Sequence, residues 1–134
     1  MGKIYYVASP YTHVDENIRE KRFKDAQIAS IHLIVHHRIW AFSPIAYNHP
    51  MVIEDIPTDW DFWEDCDKSF LDHCDAVIVL TIPGWEESLG VIDELKYARE
   101  LGIPSFYISL DEIKDSVNGL VTRNLKALIE YDRI

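Results

Sequence analysis

The sequence predicts an α/β fold in which a central parallel sheet of four or five strands is covered by helices on both faces. Apolar runs of strand length alternate with longer segments of helical periodicity along the chain. The runs are apolar at consecutive positions, the pattern of strands buried on both faces. The first two are each closed by Ser-Pro, at Ser9-Pro10 and Ser43-Pro44. With 134 residues, 48% apolar and 27% charged, the chain has the size and composition of one globular domain, 1–134.

The elements follow in order. Ile4–Ala8 (IYYVA) is the first strand. Asp15–His37 is a long helix with Ala26, Ala29 and Leu33 on one stripe and Ile18 two turns earlier. Its opposite face carries Arg19, Glu20, Lys24 and Asp25, and His36-His37 closes it where a cation suits the dipole. Ile39–Phe42 is the second strand. A Pro/Asn/His-rich loop runs on to Pro57, long enough to suggest function. Thr58 or Asp59 caps a helix ending near His73, and Ala76–Ile82 is the third strand. Ser88 caps a helix to Leu101 that Gly102 ends in the left-handed position. Pro104–Leu110 is the fourth strand, and Asn118 or Thr122 begins a last helix ending near Tyr131. Right-handed crossovers between such strands give a three-layer, flavodoxin-like arrangement, with the first and third strands adjacent.

The net charge of −10 argues against binding a nucleic-acid polymer, whose phosphates demand a basic surface. No apolar run reaches the ~18 residues of a membrane span. The chain enters its first strand at once, so no secretory signal is expected, and Cys66 and Cys74 read as buried reduced thiols of a cytoplasmic protein. The acids Asp59, Asp61, Glu64, Asp65 and Asp67 point around a whole helix circumference, and no histidine has metal-ligand spacing. No Walker lysine and no G-x-S-x-G elbow occur. Neither metal nor cofactor is expected.

Two carboxylates stand out. Asp67 shares a helical stripe with Trp60, Trp63, Phe70 or Leu71, and Cys74, where an apolar side chain belongs. A buried carboxylate is costly unless it is paired or hydrogen-bonded. Glu94 lies beside Val91, Leu95 and Ala98 on the sheet-facing side of its helix, early enough to project toward the strand ends. In open α/β sheets that rim is where ligands bind. Ser9 and Ser88 can meet one ligand there, while Tyr47, Asn48 and His49 can wall it.

These pieces together resemble the nucleoside 2-deoxyribosyltransferase-like superfamily, which includes the 2′-deoxynucleoside 5′-phosphate N-hydrolases. The resemblance runs from Ile4 to about Tyr107. It rests on Ser88-Leu89-Gly90-Val91 followed by Glu94-Leu95 and Ala98, on Asp67 eight residues before Asp75, and on Tyr5, Tyr6 and Ser9 in the first strand. The segments SPYT (9–12) and DWDFW (59–63) look closest to a bacterial and phage branch. The N-hydrolases have an arginine two positions after the strand-end serine, where this chain has Tyr11.

The resemblance implies cleavage or exchange at the N-glycosidic bond of a nucleoside or nucleoside 5′-monophosphate. Glu94 would be the nucleophile, and Asp67 would orient the sugar or assist protonation of the base. Ser9, Ser88 and Gly90 would hold the 5′ end, Tyr6 would offer the base a stacking surface with Trp60, Trp63 and Tyr47, and Asn48 would line the site. It also implies a homodimer or higher homo-oligomer, with Asn118 and Asn124 as candidates to complete a neighbouring site. A non-catalytic nucleotide or nucleotide-sugar sensor is the alternative on the same fold, and a partner-binding domain with an acidic face is a third reading.

Overall fold

The computed structural model describes residues 2–51 and 56–134. Four parallel strands form one sheet in the order β2-β1-β3-β4, with β1 Ile4–Ala8, β2 Trp40–Phe42, β3 Ala76–Leu80 and β4 Ser105–Ile108. Tyr6 stands beside Val77, Val7 beside Ile78 and Ala8 beside Val79. The expected adjacency of the first and third strands is therefore present, and the fold is a three-layer α/β arrangement of flavodoxin-like type. β1 has the expected bounds, whereas β2, β3 and β4 are each shorter than their apolar runs, because ladder pairing stops where the chain leaves for the neighbouring loop.

Strand alternation divides the core between the two faces. Tyr5 and Val7 with Ala76, Ile78 and Leu80 pack against Ala26, Ala29 and Leu33 of α1 (Glu16–His37). Ile113 of α5 (Leu110–Ser116) and Leu125 and Leu128 of α6 (Arg123–Asp132) join that layer. On the other face Tyr6, Ala8, Val77 and Val79 meet Leu71 of α3 (Trp60–Leu71) and Val91 and Ala98 of α4 (Leu89–Leu101). The chain winds onto opposite faces on either side of the β1–β3 pair, and the strand order reverses there. A crevice opens at the carboxyl ends of such a pair.

Local signals explain the helix boundaries. The side chain of Asp15 accepts from the amide of Asn17, and Ser88 accepts from Val91 at the start of α4. Gly102 closes α4 at φ 75°, as its type allows. Thr122, one of the two expected starts, caps α6. Asp59 occupies the cap position of α3, but its side chain makes no capping bond, and α3 runs to Leu71 with a closing turn through His73.

Four expectations need correction. The 43–57 segment is not all loop: Ser43 caps α2 (Pro44–Asn48), and a 3₁₀ turn follows over His49–Met51. Its residues 52–55 lie outside the described residues. A helix not foreseen, α5, begins at Ser109 through a reciprocal capping box with Glu112. Asp25 does not face solvent; it is buried at 7% exposure and takes Lys21 Nζ at 3.0 Å. Cys66 and Cys74 are free thiols, as expected, but both are only half-buried.

Candidate active site

A cavity of about 590 Å³ opens at the carboxyl ends of β1 and β3. Ser9 sits at the end of β1, Asn48 on α2, Asp67 on α3, and Ser88, Gly90 and Glu94 at the start of α4. All six line this one cavity. Tyr6 and Tyr47 do not.

Glu94 is 4% exposed and lies in the second turn of α4, on the same buried face as Val91 and Ala98. The hydroxyl of Tyr6 donates to its Oε2. Burial pushes the Glu94 carboxyl well above the usual range, the Tyr6 hydrogen bond draws it back, and the negative charge of Asp67 pushes it up again. The Tyr6 phenol is raised as well, first by burial and then by the charges of Glu94 and Asp67.

Asp67 is 7% exposed, as its place on the apolar stripe required. Burial raises its carboxyl to about 6, against a smaller opposing pull from Asn48, whose Nδ2 donates to Oδ1 at 3.4 Å. The two helices bearing the carboxylates are tied together. Trp60 Nε1 donates to Asp93 Oδ2 at 3.0 Å, and Lys68 Nζ lies 3.3 Å from the same oxygen and 2.7 Å from Glu64. Gly90 lets the Trp60 ring lie against the start of α4, since a Cβ there would be 3.3 Å from the ring.

The other polar groups are set for a ligand. Ser9 Oγ and Asn48 Oδ1 are buried and find no hydrogen-bond partner among the described residues. Buried polar atoms are paired as a rule, and these two belong to residues lining the cavity, which makes them candidate contacts for a ligand or a water. Ser88 Oγ accepts from the amide of Val91 and still has a proton to donate. The first amides of α4 are free of intrahelical partners at the same wall.

Two expected roles do not hold. The Tyr6 ring is fully buried among core residues, so it offers no stacking face; its contribution is the hydroxyl on Glu94. Tyr47 is half-exposed and packs on Phe42 and Phe70, away from the cavity. Trp60 and Trp63 do line it. Asn118 and Asn124 lie outside it, among the segments around α5 and α6.

Arg22 was missed. It reaches the cavity from α1, donates to the carbonyl of Thr12 at 3.0 Å, and rests against Gly84. Gly84 holds φ 94°, and a Cβ there would collide with the guanidinium.

The match to known families covers this same region. Residues 3–110 match the family described as a domain of unknown function, DUF1937. The chain belongs to that family. The DUF1937 match spans all four strands and every residue lining the cavity, and it ends at the start of α5. No curated protein matches the chain. Among the described residues, no group of three or more His, Cys, Asp or Glu side chains is placed to hold a metal ion, and no helix is long and apolar enough to cross a membrane.

Proposed function

We propose that this chain cleaves the N-glycosidic bond of a nucleoside or nucleoside 5′-monophosphate, by hydrolysis or by exchange of the base, through a covalent glycosyl-enzyme on Glu94. The observation behind this reading is a buried glutamate on a cavity wall, held by a phenol and facing the influence of a second buried carboxylate. The resemblance to the nucleoside 2-deoxyribosyltransferase-like superfamily assigns the same two residues.

The chemistry follows from the geometry. A Glu94 oxygen attacks C1′ as the C1′–N bond breaks, and the bonding pair leaves with the base, which takes a proton. The electron-poor sugar carbon passes through an oxocarbenium-like state that an adjacent carboxylate stabilises. Water or a second base then attacks C1′ from the face the first base left and frees the carboxylate. Asp67 orients the sugar. Ser9, Ser88, Asn48 and the α4 amides hold its polar end, while Trp60 and Trp63 supply apolar surface. As in the superfamily it resembles, the active form is a homo-oligomer.

Incubation with a panel of nucleosides and nucleotides, with and without an acceptor base, tests the proposal by release of free base. Saturable binding without release favours the sensor instead. Glu94 must be ionised to attack, which makes the acid limb of kcat/KM sensitive to Tyr6. Tyr6 donates to the carboxylate and so lowers its proton affinity; Tyr6→Phe removes that bond. The acid limb is therefore expected to move to higher pH in Tyr6→Phe, with a smaller loss at the alkaline plateau. A limb that stays in place or moves down contradicts the Tyr6–Glu94 coupling.

A further inference from the structure

A chain of three hydrogen-bonding groups ends at the same cavity and has no part in the steps above. Tyr11 follows Ser9 by two residues in the loop after β1, and its hydroxyl lies 2.7 Å from His49 Nδ1. His49 Nε2 lies 2.7 Å from Glu20 Oε2, on α1. The imidazole is stacked on Phe23, with ring centroids 4.3 Å apart, and meets Tyr11 edge-on at 5.5 Å. Tyr11 and His49 line the cavity, whereas Glu20 stands behind them. Arg19 acts on Tyr11 from α1, and Lys24 Nζ is 4.0 Å from Glu20 Oε1.

We propose that Glu20, His49 and Tyr11 form a proton relay that protonates the departing base. This rests on the glycosidase reading above and assigns the source of the proton that the departing base takes.

The hydrogen-bond options of the three groups carry the argument. Glu20 accepts from Nε2–H in either protonation state of His49, which fixes the ring. With neutral His49, Nδ1 accepts from the Tyr11 hydroxyl, whose proton points away from the cavity. With charged His49, Nδ1–H donates to the phenol oxygen, and the phenolic proton turns free to donate to a ligand. In the transfer the base nitrogen takes the phenolic proton as the C1′–N bond breaks. The phenol oxygen takes the proton from Nδ1, and a neutral imidazole bonded to Glu20 remains. When water attacks the glycosyl-enzyme, its proton returns through Tyr11 to His49, so each turnover leaves the relay as it began. A carboxylate orienting an imidazole that serves a hydroxyl is a workable catalytic arrangement whatever the fold. Asp67 is then left to the sugar.

The same network also ties the α2 segment to α1, and a mere strut would behave differently in one experiment. The substrates are 2′-deoxyguanosine 5′-monophosphate and its N7-methyl derivative, whose base already carries the positive charge and departs without a proton. Wild type, Tyr11→Phe and His49→Gln are compared on both, with melting temperatures recorded. Tyr11→Phe is expected to lose about a hundredfold or more on the unmodified substrate and only a few-fold on the methylated one, and His49→Gln to follow it in the same sense. Equal losses on both substrates, or no loss on either, overturn the relay while leaving the glycosidase reading in place. Where the panel above shows that another nucleoside or nucleotide is cleaved, the same pair is made from its base, and no base released by the wild type from any member of the panel overturns both.

Discussion

Glu94→Gln is expected to reduce base release at least about a thousandfold, since the proposed mechanism has Glu94 form the ester with C1′. The fold should survive. Glutamine keeps an acceptor for the Tyr6 hydroxyl, which is otherwise buried without partner, and it removes a carboxyl whose ionised form burial penalises. Glu94→Ala is the harsher change, because it strands the phenol at a cost of about 1–3 kcal/mol. The two variants together separate chemistry from folding: both should be inactive, only the alanine form should lose melting temperature, and nucleotide binding should persist in the glutamine form. Intact-protein mass spectrometry of quenched wild-type reactions should find a sugar adduct that is missing from Glu94→Gln. Base release by Glu94→Gln at the wild-type rate would remove Glu94 from the chemistry altogether.

The sheet and long helices were legible because their signals are local. A continuous apolar run states that a strand is covered on both faces, and Ser88 and Gly102 bracket α4 by cap chemistry alone. The two short helices carried signals of the same kind. Ser43-Pro44 reads as a strand stop, but proline also suits the first helical turn, and α2 begins there. Ser109 and Glu112 have capping-box spacing, yet they fall at the end of an apolar run that extends the strand reading. Asp25 is four residues before Ala29 and eight before Leu33, so helical spacing places it on the buried side; Lys21, one turn earlier, pairs with it.

The site was legible in proportion to how far each residue broke a local rule. Asp67 did so openly, as a carboxylate on an apolar stripe. Glu94 did not, for helix glutamates are ordinary, and only the resemblance raised it above its neighbours. Tyr6 looked like aromatic surface because nothing local says which side chain lies beneath a strand residue. Its partner comes from α4, 88 positions away. The Glu20–His49–Tyr11 chain joins three segments through tertiary contact alone, and no spacing within any of them announces it.

Asp67→Asn is expected to lower turnover by about a hundredfold, the scale of a lost positioning contact, while raising stability above neutrality. Burial holds the Asp67 carboxyl at about 6 in the folded chain against an ordinary 3.8. Between those values the folded state keeps a proton that the unfolded state has released, so this residue makes wild-type stability fall as pH rises through the window. Above pH about 6 the full penalty remains, on the order of 2–3 kcal/mol from the difference in proton affinity. Asparagine carries no such penalty and can still bond to Asn48. The variant should therefore melt higher than wild type at pH 8 and level with it near pH 4. A lower melting temperature at pH 8 would mean that the charge itself supports the fold. The substitution also lifts a negative charge from beside Glu94, which pushes the Glu94 carboxyl up. Its acid limb should move to lower pH, opposite to the shift expected for Tyr6→Phe. Two variants on two sides of one carboxylate moving its titration in opposite directions is a signature that misfolding or a lost binding contact does not produce.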